Sequence, residues 1–441
     1  MKILRLFPLT LLLLLLIFPC TGHAQQLEKL DNGVRLITTS TTASQMVAIT
    51  VLIDYSALDE QPNLLGLRAV LLDAMMQGSE LENAASLRRS LTAAGGTMQS
   101  QVYPDMLEIT ISIPADGFVT ALNKLTEVLT HPVLTDEGIN AAIQMQQIYT
   151  QQPSVGALAI ADDLARNNLF ARHPYSASAH GNPESLLRMN PATVRWAYQH
   201  YVTPSRTIIS VAGRCNYDDV RLLAQGAFGN WLTPAVALPP ARYTDEPAEL
   251  PATKLILKEE SVSNTCVMLA FPVCGAANPD SVPLRVLESL LSGGTGSRLF
   301  RNVREDKRLA YDVSTNYPIQ ANSSEFAVYA LTEARYMEAT KSALVAELAK
   351  VQTEKVTDEE LARARAYLKS RYLLSHQYSS QLAFDLGWYE LIGLGTTADQ
   401  LYSAKVDAVT ADDLQRVARA YFTHYYLIVT MPHVLPAPEI K

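Results

Sequence analysis

The sequence predicts an α+β protein made of two duplicated domains, each a mostly antiparallel sheet packed with helices. Strand-like and helix-like patterns follow one another in the same order on both sides of a proline-rich segment near the middle of the chain. The 441 residues are also enough for two domains of ordinary size, each with its own core. A repeated order of this kind is typical of an ancient duplication.

Residues 1–24 have the composition of a cleavable signal peptide. Lys2 and Arg5 supply the positive start, and residues 7–18 form an apolar core that is shorter than the roughly 20 residues needed to span a bilayer. Small residues up to Ala24 favour cleavage there, which leaves Gln25 as the first mature residue. We therefore expect a periplasmic or secreted protein without a stable membrane span; an uncleaved membrane anchor is the alternative.

The mature chain is predicted to be acidic. Cleavage after residue 24 removes two basic residues and leaves 34 basic and 44 acidic side chains, a net charge of −10. This charge argues against nucleic acid or an anionic membrane as a partner. Cys215, Cys266 and Cys274 are odd in number and lack the spacing of a metal knuckle, so Cys266 and Cys274 either pair or stay reduced.

The first predicted domain spans residues 25–232. Its strand-like runs lie at 34–38 and 46–53, and an apolar helix is predicted at 65–76. Its later elements are an alternating strand at 106–113, a helix at 117–129 and a helix start signal at Thr135-Asp-Glu.

A linker at 233–252 precedes the second domain, residues 253–441. The linker contains five prolines and no apolar periodicity, which indicates an extended connection. The second domain repeats the order of the first, with strands at 254–257 and 266–271, a helix at 282–291, a strand at 325–331 and a helix at 336–351. Thr357 and Glu360 then form a capping box at the start of the next helix.

The helix in the segment from Gly66 to Ser79 resembles the zinc helix of the insulinase-like peptidases, the pitrilysin family. That family's helix carries the inverted zinc motif His-x-x-Glu-His. With the glycines at both ends aligned, the motif falls on Ala69, Leu72 and Asp73 of this chain. The resemblance therefore identifies a degenerate zinc helix.

The replaced residues matter because of what they can coordinate. Two histidines four apart lie on one helix face and share a zinc ion, and the glutamate takes a proton from the bound water. Ala69 and Leu72 have no lone pairs to offer, and one carboxylate at Asp73 is not a zinc site. The family's third ligand, a glutamate about 75 residues further on, has no acidic counterpart in residues 139–148. We therefore predict no catalytic residue and no metal in this chain; a peptidase with unusual ligands around Asp73 is an alternative.

The resemblance extends over nearly all of the mature chain and implies the insulinase-like, or processing-peptidase, fold. Short matches occur in the family's order around its opening strand, its active-site turn and the end of its first domain, at residues 30–36, 95–96, 173–175, 181–186, 201–204 and 211–213. Beside the active site the family usually carries Asn-Ala, and this chain has Gln99-Ser100 before Asp105.

A second group of residues lies in the C-terminal domain. The segment from Gly293 through Tyr311 resembles the family's Gly-Gly-x-x-Ser-Arg-Leu-Phe…Arg-Glu…Gly-Leu-Ala-Tyr. The resemblance implies that Arg304 and Tyr311 contact the substrate backbone and polarise the scissile carbonyl. Guanidinium and phenol donors suit this role. A structural role is the alternative for both residues. Arg298 is a further candidate for substrate binding, or it pairs with an acid and holds the loop. Arg308 replaces a family glycine and is expected to alter the turn before Tyr311.

Together these features predict a non-catalytic, substrate-binding subunit of a heterodimeric zinc metallopeptidase. The partner would be a zinc-bearing homologous subunit, so zinc is expected in the partner and no cofactor in this chain. The substrate would be an extended peptide captured at a sheet edge. The alternative from another class is a peptide-binding or assembly scaffold without a proteolytic role.

Overall fold

The computed structural model describes residues 25–42, 44–171, 173–232 and 250–433. The predicted signal peptide and most of the predicted linker lie outside the described residues. Among the described residues, no helix is long and apolar enough to cross a membrane.

The first half contains a six-stranded sheet with the order β1-β2-β6-β3-β5-β4. Only the β2–β6 pair is parallel. The strands are β1 (Gln25–Lys29), β2 (Arg35–Ser40), β3 (Met46–Ile53), β4 (Thr97–Val102), β5 (Leu107–Pro114) and β6 (Thr207–Gly213). The helices are α1 (Leu67–Met75), α2 (Ala84–Ala93), α3 (Phe118–Thr130), α4 (Asp136–Gln151), α5 (Ala157–Leu169), α6 (Pro183–Leu187), α7 (Pro191–Tyr201) and α8 (Tyr217–Phe228).

The second half contains a five-stranded sheet with the order β7-β11-β8-β10-β9, again with one parallel pair, β7–β11. The strands are β7 (Lys254–Glu260), β8 (Thr265–Cys274), β9 (Asp312–Asn316), β10 (Ser323–Thr332) and β11 (Tyr426–Pro432). The helices are α9 (Ser281–Ser292), α10 (Met337–Thr353), α11 (Asp358–Ser375), α12 (Ser379–Leu391), α13 (Thr397–Ala408) and α14 (Ala411–Tyr421). Strand by strand, this order repeats the first sheet without β1, which confirms the predicted α+β duplication.

Each sheet packs one face against helices of its own half. In the first half, side chains of α1, α3 and α8 join those of β3 and β5 in one apolar core. In the second half, side chains of α9, α10 and α14 join those of β8 and β10 in a corresponding apolar core. The helices begin where the sequence signals predict, since Thr135 caps α4 and Thr357 caps α11 through a capping box with Glu360.

The other face of each sheet is covered by a helix from the opposite half. Ala161 and Ala165 of α5 pack on β8 and β11, and Leu382 and Leu386 of α12 pack on β3 and β6. Small residues allow this close approach; a Cβ at Gly387 of α12 would lie 2.8 Å from Leu52 Cδ1. Each half therefore has a core of its own and a second core shared with the other half, which the sequence patterns did not indicate.

Candidate functional site

The degenerate zinc helix α1 begins at a tight backbone contact. Gly66 has φ 90°, and a Cβ there would lie 2.7 Å from the carbonyl oxygen of His180. A Cβ on Gly181 (φ 76°) would lie 2.1 Å from the carbonyl oxygen of Leu65, so both positions require glycine. The Ser185 hydroxyl donates to that same carbonyl at 2.7 Å. The matched glycines of the sequence therefore hold the 178–181 turn against the start of α1.

Two of the three motif positions are part of the apolar core. Ala69 is 3% exposed and Leu72 is 2% exposed. Neither side chain carries a lone pair, so neither can ligate a cation or accept a proton from water. At these two positions the helix contributes only apolar packing. Asp73 is the one motif position whose side chain can accept a hydrogen bond or a proton.

Asp73 is half-buried and belongs to a hydrogen-bonded chain. Its Oδ2 accepts from Gln146 Nε2 of α4 at 2.5 Å, and Gln146 Oε1 lies 2.7 Å from His180 Nδ1. Gln146 is 2% exposed, so its amide is fixed between the two side chains. Burial raises the pKa of Asp73, and the Gln146 hydrogen bond and the charge of His180 oppose that rise. Sequence reasoning found Asp73 but missed Gln146 and His180, which lie 73 and 107 positions away.

Helix α1 also holds a buried ion pair. The Arg68 backbone N–H donates to Glu60 Oε1 at 2.9 Å, and Arg68 Nε lies 3.5 Å from Glu60 Oε2. The guanidinium also donates to the Tyr103 carbonyl at 2.5 Å, beyond the end of β4. Burial raises the pKa of Glu60, and Arg68 opposes that rise. This pair ties α1 to the β4–β5 turn. In the sequence, the one sign of this ion pair is Arg68 itself, a single arginine within an otherwise apolar helix.

The residues present do not fit the family's zinc ion. Asp73 is the only one of the three motif positions with a donor atom, and Gln146 already occupies one of its oxygens. Within the described ranges, no group of three or more His, Cys, Asp or Glu side chains could hold a metal ion. Zinc prefers four ligands of these types, so this helix does not present a zinc site.

Gln99 and Ser100 lie on β4, which is the outer strand of the first sheet. Side chains along β4 alternate between exposed and half-buried, and β5 is its only strand partner in the described structure. Such an edge presents unpaired backbone N–H and C=O groups that can pair with an added extended chain. By the same duplication, β9 is the outer strand of the second sheet.

Arg304 and Tyr311 lie in the segment of chain that leads into β9. Arg304 lies in a π-helical turn, Phe300–Asp306, is exposed, and has its guanidinium carbon 4.9 Å from the centre of the Phe300 ring. Tyr311 is 50% exposed, and its hydroxyl accepts a hydrogen bond from the Asn264 amide. Both side chains are accessible to a ligand, and their contact with substrate stays a prediction.

Arg308 occupies a strained backbone position between these two residues. Its φ is 54°, the one positive value among the described non-glycine residues. Left-handed backbone favours glycine, so the family's glycine here has a conformational reason. The turn survives with arginine, since the Leu309 N–H still donates to the Val303 carbonyl at 3.0 Å.

Arg298 makes a bidentate ion pair with Glu360. The two N···O distances are 2.7 and 2.8 Å, and the Arg298 side chain is 12% exposed. Chiefly because of these hydrogen bonds, the pKa of Glu360 falls to about 2. This geometry favours the alternative stated for Arg298, that it pairs with an acid and holds the loop. It ties the segment before Arg304 to the capping box of α11.

The three cysteines of the described structure form no disulfide. Cys266 and Cys274 are buried on β8, and Cys215 is half-buried. Burial raises the pKa of the Cys215 thiol to about 11 and also raises that of Cys266. High thiol pKa values disfavour the reactive thiolate, so these residues are poor nucleophiles.

A cleft of about 650 Å³ opens between the two halves. Aromatic side chains of α11, α12 and α13 dominate its wall, including Tyr372, Trp388 and Tyr402. The hairpin turns after β4 and β9 also line it. They are joined where Asp105 accepts from the Ala321 N–H at 3.1 Å and from the Tyr175 hydroxyl. Asp73, Arg304 and Tyr311 do not line this cleft.

Comparison with known proteins agrees with this architecture. A model of the insulinase family (peptidase family M16) matches residues 35–175, and a model of the peptidase M16 inactive domain matches residues 188–368. An uncharacterized zinc protease of Bacillus subtilis, YmxG, is 24% identical over 403 residues, which are 90% of this chain and 96% of the relative. A probable mitochondrial-processing peptidase subunit beta of Arabidopsis thaliana is 24% identical over 409 residues, 89% of this chain and 75% of the relative.

Solved structures share the fold at lower identity. A protease from Helicobacter pylori has a TM-score of 0.86 at 19% identity and covers 93% of this chain and 100% of its own. The peptidase M16 inactive domain from Pseudomonas fluorescens has a TM-score of 0.81 at 17% identity, with 94% and 99% covered. The family models and the relatives that match along most of its length show that this chain belongs to the insulinase family, peptidase family M16.

Proposed function

We propose that this chain is the non-catalytic, substrate-binding subunit of a heterodimeric zinc metallopeptidase, exported to the periplasm or secreted. One observation carries the proposal. The zinc-helix positions Ala69 and Leu72 are buried apolar side chains, whereas Arg304 and Tyr311 are exposed. The chain thus lacks the groups that activate water and retains those that can hold a peptide.

The proposed roles of the two subunits follow from the side chains that this chain lacks and retains. A homologous partner subunit would hold the zinc ion and supply the activated water. This chain would supply donors from Arg304 and Tyr311 to carbonyl oxygens of an extended peptide. The open edge of β4 offers backbone pairing to the same kind of ligand. The match to an inactive M16 domain over residues 188–368 agrees with a non-catalytic role.

The experiment is reconstitution of the mature chain with a zinc-bearing homologue from the same genome. We expect the pair to co-purify and to cleave a fluorogenic peptide faster than the homologue alone. Arg304→Ala and Tyr311→Phe should each lower the kcat/KM of the pair about tenfold or more, because each removes a donor to the reacting carbonyl. The thermal midpoint should change little, since both side chains are exposed.

Arg335→Ala is a matched control, because it removes another exposed arginine of the same half. Loss of stability without loss of activity in the Arg304 and Tyr311 variants would support the scaffold alternative. Stoichiometric zinc in the chain purified alone would support a peptidase with unusual ligands. Unchanged partner activity on mixing would refute the proposal.

A further inference from the structure

We propose that the cleft between the two halves binds a small organic acid. The aromatic or branched apolar body of the acid enters the cleft, and its carboxylate faces Arg371 and Lys405 at the mouth. This inference goes beyond the proposed function and does not depend on it, because Asp73, Arg304 and Tyr311 lie outside the cleft.

Three helices each present one continuous face to the cleft. Their lining residues recur three or four positions apart, which places them on the same side of a helix. They include Leu368 and Arg371 of α11, Phe384 and Trp388 of α12, and Tyr402 and Lys405 of α13. The volume of about 650 Å³ lies within the range of about 300–1,000 Å³ that is typical of small-molecule sites.

The aromatic side chains of the cleft leave few hydrogen-bonding groups free. The rings of Tyr372 and Tyr402 stack with 3.9 Å between their centres, and Trp388 also lines the wall. The Tyr372 hydroxyl donates its one proton to Asp399 at 2.6 Å, so the Tyr389 hydroxyl, 3.1 Å away, donates to Tyr372. Such a wall favours an aromatic or branched apolar body, and it would leave the hydroxyls of a sugar without partners.

The carboxylates of the wall are already hydrogen-bonded at both oxygens. Asp105 accepts from the Ala321 N–H and from the Tyr175 hydroxyl. Asp385 Oδ1 accepts from Gln381 at 2.9 Å, and its Oδ2 lies 3.0 Å from His376 Nε2. These acids therefore have their partners within the protein and do not select a cationic ligand.

Arg371 and Lys405 are the charges available to a ligand. Both are exposed residues of the lining, which places them on the open side of the cleft. Neither has a hydrogen-bond or ion-pair partner among the described residues, whereas Arg285, the third cation of the wall, pairs with Glu288 at 2.8 Å. A guanidinium and an ammonium together offer several N–H donors to a carboxylate. With apolar rings inside and unpaired cations at the mouth, the cleft fits an acid with an apolar body.

The test is isothermal titration of the purified mature chain at pH 7.5 with phenylbutyrate and with its neutral isostere, phenylbutyramide. We expect a dissociation constant of about 1 mM or lower for the acid, the range of a ligand of this size. The acid should bind about fivefold more tightly than the amide, because each exposed ion pair contributes modestly. Acetyl-Ala-Ala-Phe with a free carboxylate tests a peptide C-terminus. It should bind more weakly than phenylbutyrate, since no strand residue among those described lines the cleft to pair with a peptide backbone.

The double variant Arg371→Met, Lys405→Met should bind the acid and the amide equally. Both side chains are exposed, so the fold should be retained. The matched control is Lys355→Met, Lys369→Met, which removes two positive charges of the same half that pair with acids outside the cleft. This control should keep the preference for the acid.

Tryptophan emission locates the bound ligand. The chain has three tryptophans, and Trp388 lines the cleft whereas Trp196 and Trp231 do not. Phenylbutyrate should change the emission of the wild-type chain and of Trp231→Phe. Trp388→Phe keeps an aromatic ring, so it should retain binding within about twofold and lose the emission change.

Four results would overturn the inference. The first is no binding of phenylbutyrate up to about 10 mM, or equal affinity for the acid and the amide. The second is a preference for the acid that survives in the Arg371 and Lys405 double variant. The third is an emission change that persists in Trp388→Phe. The fourth is tighter binding of the peptide than of phenylbutyrate, which would assign the cleft to a peptide C-terminus. None of these results depends on a partner subunit.

Discussion

Replacement of Glu325 by glutamine should stabilise this protein, and more so as the pH rises. Glu325 lies on β10 and is 7% exposed. With Ala327 it faces α5, the helix contributed by the other half, and its Oε1 has no hydrogen-bond partner in the described structure. Burial raises the pKa of Glu325 to about 8, and nearby Asp162 adds to the rise while Arg166 opposes it.

The direction and size of this stability change follow from the protonation of Glu325 in the native and in the unfolded state. The native state keeps the Glu325 proton up to about pH 8, whereas the unfolded chain loses it near the ordinary pKa of 4.5. The native state therefore binds more protons between these values, and stability falls as pH rises through this window. The difference in pKa corresponds to at most about 5 kcal/mol, at about 1.4 kcal/mol per unit. Local relaxation and water entry reduce this penalty, so we expect about 2 kcal/mol or more at pH 9.

The assay is urea unfolding of the wild-type chain and Glu325→Gln at pH 5, 7 and 9. The variant should gain stability relative to wild type as the pH rises, with the smallest difference at pH 5. Glu333→Gln is the control, because Glu333 follows the same strand and its side chain is 62% exposed. A difference between wild type and Glu325→Gln that stays constant from pH 5 to pH 9 would show that Glu325 does not keep its proton in the native state over this range.

Three further changes test other parts of the structure. Arg308→Gly should raise the free energy of unfolding by about 0.5–1 kcal/mol, because it relieves the positive φ. Lys307→Gly is the control and should lower the free energy of unfolding, because Lys307 has an ordinary φ of −87°. A lower free energy of unfolding in Arg308→Gly would contradict this prediction. Arg298→Met should lower the urea midpoint most above pH 4.5, and the deficit should shrink as the pH falls toward 2. The reason is that the depressed pKa of Glu360 contributes its full stability above the ordinary value of 4.5 and loses it as the pH falls through about 2. A pH-independent deficit would count against the ion pair. The two halves should each bind a hydrophobic dye and aggregate when they are expressed separately as residues 25–232 and 250–433, because each then exposes the apolar surface of the shared cores. Co-expression should restore a compact protein. Halves that are monodisperse and bind no dye would disprove the shared cores.

The central elements of each half could be predicted from the sequence because their patterns are local. Residues 46–53 form β3 with the bounds expected, since a run of apolar residues buried on both faces has few alternatives. The capped starts of α4 and α11 were equally clear, because a cap and its helix lie within one turn.

The outer strands and the shared cores could not be predicted in this way. β4 reads Thr-Met-Gln-Ser-Gln-Val, and its polar residues remain solvated because β5 is its one strand neighbour in the described structure. The small residues of α5 indicate close packing, but periodicity shows only that a helix has a buried face. It does not show that the face belongs to the other half.

The candidate site was predictable where residues match a motif and unpredictable where distant residues meet. The absence of zinc ligands at Ala69 and Leu72 was visible once the helix was aligned with the family's zinc motif. The hydrogen-bonded chain from Asp73 through Gln146 to His180 joins three elements that only the fold brings together. The ion pair of Arg298 with Glu360, 62 positions apart, is of the same kind.

Whether this chain is catalytic by itself is decided by hydrolysis of a fluorogenic peptide by the purified chain alone, with zinc added and then with a chelator. We expect no turnover above background in either condition, because Ala69 and Leu72 cannot ligate zinc or activate water. Turnover by the isolated chain that the chelator abolishes, and that Asp73→Ala also abolishes, would show that this helix does hold a catalytic metal.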